Sequence, residues 1–200
     1  MVTLTIDGIE VKAQEGLTIL EAARNVPNVG VIPTLCHCGF SGFEDLKPVK
    51  SCRVCTVEMV RGERSSLILA CITPIKEGMV IRTNSEAVKE RRKQELGKHL
   101  RRCSKVPAIL DLAKKLAVPL PEDQLEEEEC ILCGMCERVC NDPRGLEAKA
   151  ISLVKQNGVS YYQVDEEECL GCGDCMMVCT LGVIELGDKA VLPKPKALAK

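Results

Sequence analysis

The side chains able to do chemistry in this sequence are thiols, and they are concentrated. Of fourteen cysteines in 200 residues, eight fall in two short runs, CILCGMCERVC from Cys130 to Cys140 and CLGCGDCMMVC from Cys169 to Cys179. Both runs have the spacing C-x2-C-x2-C-x3-C, and corresponding cysteines stand 39 positions apart, so a short ligand loop is duplicated within the chain. A structural zinc ion asks for two C-x2-4-C pairs separated by a longer insert, which closes a tetrahedron from two knuckles. Three successive cysteines at x2 spacing instead fit a cubane. One tight loop gives thiolates to three irons, and the fourth iron takes a cysteine from elsewhere in the chain.

Where two such runs occur together, as in two-cluster ferredoxins, the fourth cysteine belongs to the opposite run. The spacing therefore predicts one [4Fe-4S] cluster on Cys130, Cys133, Cys136 and Cys179, and a second on Cys140, Cys169, Cys172 and Cys175. Structural zinc and disulfide pairing are the competing uses of the same thiols. Gly134, Gly171 and Gly173 suit cluster loops, because small residues let backbone N–H groups approach the sulfurs. The usual proline directly after the fourth cysteine is absent: Asn141-Asp142-Pro143 follows Cys140 and Thr180 follows Cys179. That alters loop detail rather than ligation.

Around these loops the composition is that of an ordinary globular chain, with hydrophobic residues at 46% and charged residues at 28%. Bulky aromatics are scarce, with no Trp, two Tyr and two Phe. Such a chain is expected to draw part of its folding free energy from whatever its thiols hold. The N-terminus MVTLTIDGIEVKAQ has neither the basic nor the apolar region of a secretory signal, and no run approaches the roughly 18 apolar residues of a membrane span. The expected setting is the reducing cytoplasm, where clustered cysteines bind metal more often than they form disulfides.

The remaining thiols need elements to hold them. TLTIDGIEVKAQ reads as two strands across an Asp7-Gly8 turn. TILEAARN opens with Thr18 and carries Glu21 three residues on, a capping box ahead of a short amphipathic helix. Hairpin, helix and a late strand, GMVIRT at 78–83, predict a β-grasp fold. Within it lie Cys36, Cys52, Cys55 and Cys71, separated by fifteen, two and fifteen residues. On spacing alone these four could hold zinc or a [2Fe-2S] cluster, and the β-grasp context favours the cluster. Cys38 lies two residues from Cys36 in CHC and is a second candidate for its place, with His37 between them.

IPTLC at 32–36, SCRVCTVE at 51–58 and ACITPIKEGMVIRT at 70–83, followed by CILCGMCERVC, resemble the N-terminal iron-sulfur region of the complex I large iron-sulfur subunit. The same region occurs in iron-only hydrogenases and in the diaphorase iron-sulfur subunit of NAD-linked hydrogenases. The resemblance extends to about residue 187. It implies a [2Fe-2S] cluster on Cys36, Cys52, Cys55 and Cys71, and a role in passing electrons between a flavin-bearing NADH subunit and another redox centre. It departs from the family at one place. There the segment between the two ferredoxin regions has the form H-x3-C-x2-C-x5-C and binds a further [4Fe-4S] cluster, whereas this chain retains only His99 and Cys103 before Cys130. Two ligands cannot hold a cubane, so the expectation is a lost cluster, and the alternative is a site completed by a partner chain.

The fold class expected is α+β. A β-grasp [2Fe-2S] ferredoxin-like domain spans 1–84, a helical connector with the degenerate His-Cys motif 85–125, a two-[4Fe-4S] ferredoxin domain 126–187 and a tail 188–200. PLPEDQ at 119–124 reads as a linker, and the closing VLPKPKALAK as a flexible or partner-bound tail. From Glu86 to Lys115 there are ten Lys or Arg against four Asp or Glu. This reads as a solvated helix face or, more pointedly, a docking face for an acidic redox partner. Glu126 to Glu129 reads as a solvated approach to the first cluster loop. Nucleic-acid binding is not expected, since neither interleaved aromatics nor a recognisable module is present.

Neither a G-x-G-x-x-G loop nor a P-loop occurs, and no acid-base or nucleophile constellation stands out. No flavin or NAD is expected on this chain. Larger relatives continue into a catalytic domain where this sequence stops. The function expected is an electron-relay subunit of a cytoplasmic NAD(P)-linked complex of hydrogenase-diaphorase, electron-bifurcating or formate-dehydrogenase type. Its partners would be a flavin- and NAD(P)H-binding subunit and a further redox subunit such as a hydrogenase or dehydrogenase. The alternatives are a free-standing ferredoxin-like carrier and a non-redox zinc protein. Crossed ligation is directly testable: in anaerobically purified Cys140→Ser protein, electron paramagnetic resonance should lose the cluster of Cys169, Cys172 and Cys175. Loss of the cluster of Cys130, Cys133 and Cys136 would overturn the pairing.

Overall fold

The structure, a computed structural model, describes residues 1–24, 26–36, 42–43, 46, 48–123, 125–142 and 147–198. Its contacts divide the chain into two units, Met1–Thr34 with Cys52–Leu96 and Leu35–Ser51 with Gly97–Lys200.

The first unit is built on the hairpin of β1 (Val2–Ile6) and β2 (Ile9–Ala13), paired in register from Val2 with Ala13 to Ile6 with Ile9. Its two-residue loop places Asp7 at φ 51 and Gly8 at φ 84, the left-handed pair that matches the twist of the flanking strands. In α1 (Ile19–Arg24) the expected capping box is present. The Thr18 N–H donates to the Glu21 carboxylate at 2.6 Å, and the Glu21 N–H donates to Thr18 Oγ1 at 3.2 Å. The helix buries Ile19, Leu20, Ala22 and Ala23.

A second hairpin follows, β3 (Thr56–Arg61) with β4 (Arg64–Leu69), then β5 (Val80–Arg82). The five strands form one sheet in the order β2-β1-β5-β3-β4, with β1 and β5 parallel and the other pairs antiparallel. Leu4, Ile6, Ile19, Leu20, Val57 and Ile81 form the centre of its core. This is the mixed sheet with a helix across it that the hairpin, capped helix and late strand predict.

α2 (Glu86–Arg102) and α3 (Pro107–Lys115) come next, and the division between the units falls within α2. Its last carbonyls find backbone partners in the glutamate run. The Glu126 N–H donates to Arg101 O at 2.6 Å and the Glu128 N–H to Arg102 O at 3.0 Å, while Ser104 Oγ donates to Glu126 O at 2.8 Å. The run is thus fixed along its backbone, while Glu126, Glu127 and Glu129 are exposed and Glu128 is half-buried.

The rest of the second unit is α4 (Met135–Cys140), a hairpin of β6 (Ile151–Gln156) and β7 (Val159–Val164), and α5 (Asp174–Met177). A small hairpin of β8 (Glu185–Leu186) and β9 (Ala190–Val191) and a 3-10 turn at Lys196–Leu198 complete it. The duplication in sequence is a duplication in structure: α4 and α5 each start from a left-handed glycine, Gly134 at φ 81 and Gly173 at φ 83. Among the described residues no helix is long and apolar enough to cross a membrane.

Asp7 fastens the first unit. Its carboxylate accepts from Thr83 N–H at 2.7 Å, Thr83 Oγ1 at 2.5 Å and Gly30 N–H at 3.1 Å, so the turn, the end of β5 and the chain after α1 share one anchor. A Cβ on Gly30 would overlap Thr83 Oγ1. Asp7→Ala should therefore cost about 1.5–3 kcal/mol in urea unfolding, the range for hydrogen bonds to a charged group. Asp7→Asn, which keeps the left-handed turn, should cost less.

Candidate iron-sulfur centres

Two cavities in the second unit collect the thiols of the duplicated runs. Cys130, Cys133 and Cys136 line the first, together with Cys179 from the other run. Cys169, Cys172 and Cys175 line the second, together with Cys140. The x3 spacing is responsible for the exchange. Cys136 and Cys140 stand at the two ends of α4, one turn or about 6 Å apart along its axis, and they open to different cavities.

The loops are strained in ways that serve the sulfurs. Leu132 holds φ 55, a left-handed conformation that costs a leucine on the order of 1–2 kcal/mol, and its N–H donates to Cys130 Sγ at 3.3 Å. Backbone N–H groups of Met135, Glu137 and Met176 likewise serve Cys133, Cys136 and Cys175. The glycines do more than admit N–H groups. A Cβ at Gly171 would stand 2.5 Å from the Asp188 carbonyl, one at Gly173 3.1 Å from Leu186, and one at Gly134 3.0 Å from the Tyr162 hydroxyl. Close packing of each loop on its neighbour is therefore a second reason for glycine.

Burial raises the thiols of Cys130 and Cys136, pushes Cys133 up to about 12 and pushes Cys175 up to about 11. Without metal these cysteines hold their protons, and metal binding must release them. Against that burial stand the N–H donors and, at the first cavity, Arg102. Its Nε donates to the Cys130 carbonyl at 2.8 Å, and its charge favours the Cys130 thiolate. At the second cavity Lys189 Nζ donates to the Cys169 carbonyl. Among the described residues no three His, Cys, Asp or Glu side chains converge tightly enough to grip a single metal ion. Four thiols spaced around a cavity, with N–H donors on the sulfurs, fit a group whose irons are bound one by one.

In the first unit Cys52, Cys55 and Cys71 are buried. The β3–β4 register pairs Thr56 with Leu69, and the Ala70 N–H donates to the Cys55 carbonyl at 3.1 Å, so the open end of this hairpin brings Cys55 and Cys71 together. Their sulfurs lie 3.3 Å apart, close enough for two thiolates to share one iron. Cys36 is buried and lies in the Leu35–Ser51 segment that groups with the second unit. His37, Cys38 and Pro143 lie outside the described residues. Cys103 is fully buried, its thiol pushed up to about 12 by that burial. Its N–H donates to the His99 carbonyl at 2.8 Å, and its backbone pairs with Glu127.

Sequence reading did not single out Arg92. It is 5% exposed, its Nε donates to the Thr56 carbonyl at 3.0 Å, and its second terminal nitrogen is buried with no hydrogen-bond partner among the described residues. Burial pulls it down to about 10, with Cys55 and Asp7 opposing, so it stays charged at neutral pH. It was hidden by its setting in ERRKQE, where most neighbours face solvent. A buried cation in reach of Cys55 favours an added electron on a centre held there. Arg92→Gln should lower the midpoint potential of the N-terminal centre by on the order of 60 mV, the one-electron equivalent of a tenfold change in equilibrium constant, in a spectroscopic redox titration.

Two segments of the chain match families of known proteins. Residues 1–86 match the family described as a 2Fe-2S iron-sulfur cluster binding domain, and residues 129–183 match the family described as a 4Fe-4S dicluster domain. The chain is 28% identical over 185 residues to iron hydrogenase 1 of Clostridium pasteurianum, covering 79% of this chain and 30% of that protein. It is 32% identical over 166 residues to the NADP-reducing hydrogenase subunit HndD of Solidesulfovibrio fructosivorans, covering 70% of this chain and 28% of that protein. The chain thus spans less than a third of the length of these curated relatives. A chain in the crystal structure of NAD+-reducing [NiFe]-hydrogenase in the H2-reduced state shares its fold, with a TM-score of 0.65 at 20% identity, covering 100% of this chain and 90% of that one. The chain therefore has a 2Fe-2S iron-sulfur cluster binding domain at residues 1–86 and a 4Fe-4S dicluster domain at residues 129–183, and carries one [2Fe-2S] and two [4Fe-4S] clusters.

Proposed function

We propose that this chain is the iron-sulfur electron-relay subunit of a cytoplasmic NAD(P)-linked oxidoreductase. The observation that carries the reading is the pair of four-thiol cavities, each assembled from both cysteine runs, in a chain that also has a 2Fe-2S domain. Cys130, Cys133, Cys136 and Cys179 would hold one [4Fe-4S] cluster, and Cys140, Cys169, Cys172 and Cys175 the other. Cys36, Cys52, Cys55 and Cys71 would hold the [2Fe-2S] cluster. Bound clusters supply one-electron acceptance and release. The chain's own part is to fix the thiols, to aim N–H groups at their sulfurs and to set Arg92 and Arg102 beside them. Its partners would be a flavin- and NAD(P)H-binding subunit and a hydrogenase or dehydrogenase subunit; the relatives' names, an NADP-reducing hydrogenase subunit and an NADPH-Fe(3+) oxidoreductase subunit, support the coarser statement that such chains work with partner subunits.

NADH gives up two electrons together as hydride, and a flavin is needed to divide them before iron-sulfur centres accept them singly. The purified chain should therefore be bleached by dithionite and not by NADH, and adding the flavoprotein partner should restore bleaching by NADH. Rapid bleaching by NADH in flavin-free chain would sink the relay assignment.

A further inference from the structure

The two cavities of the dicluster unit differ in how they meet the solvent. Of the described cysteines Cys172 alone is exposed; the others are buried or half-buried. The lining of the first cavity includes Tyr162, Leu192, Pro193 and Pro195, whereas that of the second includes Leu170 and Cys172, both exposed. Electron transfer between proteins falls off steeply with distance. The point where a liganding thiol reaches the surface is where a partner's centre comes nearest.

The surface around that point is apolar at its centre. Leu170, in the lining of the second cavity, is 60% exposed, and Leu186, against Gly173, 39%; Met176 and Met177, on the helix that starts from that glycine, are 38% and 53% exposed. The contacts of Gly171 with Asp188 and of Gly173 with Leu186 hold the β8–β9 hairpin against the Cys172 loop, and Met176 and Met177 extend from the same loop on α5. Exposed leucine beside a surface thiol, with exposed methionine on the helix that follows, is characteristic of an interaction surface, and flexible Met adapts to a partner's shape. Around this centre carboxylates predominate, and Lys149, between Ala148 and Ala150 of the cavity lining, is paired with Glu147. Between residues 156 and 188 there are seven carboxylates, at Asp165, Glu166, Glu167, Glu168, Asp174, Glu185 and Asp188, and no Lys, Arg or His. Six of them are exposed and Asp174 is half-buried. The nearest cation in sequence, Lys189, is engaged with the Cys169 carbonyl.

From these observations the geometry points to the Cys172 face as the docking surface for a redox protein that presents a basic rim around an apolar centre. This rests on the relay reading. The carboxylates steer the partner and fix its orientation, and the apolar centre excludes water over the cluster edge. One electron crosses without a bond being made or broken: the cluster behind Cys172 is oxidised by one electron and the partner's centre is reduced by one, or the reverse.

The test uses the full chain with its clusters, handled anaerobically, and a basic c-type cytochrome as probe. Carbodiimide joins carboxylates to lysines in contact, and mass spectrometry maps the joints. They should fall on Glu166, Glu167, Glu185 and Asp188. In parallel, binding by calorimetry should weaken about tenfold from low to physiological salt, as steered association does. Glu166→Lys/Glu167→Lys/Glu185→Lys should weaken it about tenfold or more at low salt. The charge-matched control Glu10→Lys/Glu63→Lys/Glu90→Lys, in the first unit, should leave it unchanged. Leu170→Ser should weaken binding without changing its salt dependence. Iron content and visible absorption, equal across all variants, show that the clusters are intact. Equal weakening by both triple variants would mean attraction by net charge alone and overturn the proposal, as would joints confined to Glu126–Glu129 or the first unit. Sedimentation showing a dimer of the chain through this face would also overturn it. Bleaching by NADH alone would remove the relay reading yet leave this map intact, so the two failures are distinguishable.

Discussion

The constraint on which the dicluster unit depends is that neither cysteine run completes its own cavity. Three thiols of each come from a loop of seven residues, and the fourth is supplied by the other run. The two loops must therefore be held at a fixed separation by something that binds no metal. That part falls to the β6–β7 hairpin and its flanks. Lys149 N–H donates to the Cys140 carbonyl at 3.1 Å, Asp165 N–H to the Ala150 carbonyl at 2.7 Å, and Cys169 N–H to the Asp165 carbonyl at 3.0 Å. The backbone is thus hydrogen-bonded from the last cysteine of one run to the first of the next, a short path that leaves little freedom to the cavities between.

Burial sets the second condition. A thiolate in an apolar cavity is penalised, and the raised thiols of Cys130, Cys133, Cys136 and Cys175 record that penalty. The surroundings offset it locally, with one N–H donor aimed at each of these sulfurs. The first unit solves the same problem by strand register. With Thr56 fixed opposite Leu69, the residues just beyond the hairpin's open end have no choice of neighbour, and Cys55 meets Cys71. Arg92 then places a charge beside Cys55 while its Nε satisfies the carbonyl of Thr56.

What could be read from the sequence was what is encoded locally. The Asp7-Gly8 turn, the Thr18 and Glu21 cap and the paired cysteine spacings are each decided within a dozen residues, and the structure contains the turn and the cap at those residues. The β3–β4 hairpin was missed because β3 is buried on both faces and so lacks alternation, while β4 is exposed over its first four residues. The β6–β7 hairpin carried a plain signal, Asn157-Gly158 between two strand-forming runs, with both residues left-handed. The glutamates at 126–129 show a different limit. Charge predicts where side chains go and says nothing of backbone partners, which here close the end of α2. The closing segment, proline-rich and flexible by composition, lines the first cavity with Pro193 and Pro195 and ties Lys196 N–H to Glu128 at 3.1 Å.

Charge is sorted by depth as well as by sequence. The segment from Glu86 to Lys115 carries a surplus of six cations, but the two that matter to thiols are the ones that turn inward, Arg92 and Arg102. A cation in a low-dielectric setting acts strongly on a nearby centre and is screened little by salt, so it tunes that centre at every ionic strength. The carboxylates near Cys172 are outside, where water and salt weaken their effect on the centre while leaving their field free to act on an approaching molecule. The same physical law thus serves two purposes according to burial. Inside, charge sets how readily an electron rests at a thiol-held centre, and outside, it sets which molecule comes close enough to exchange one.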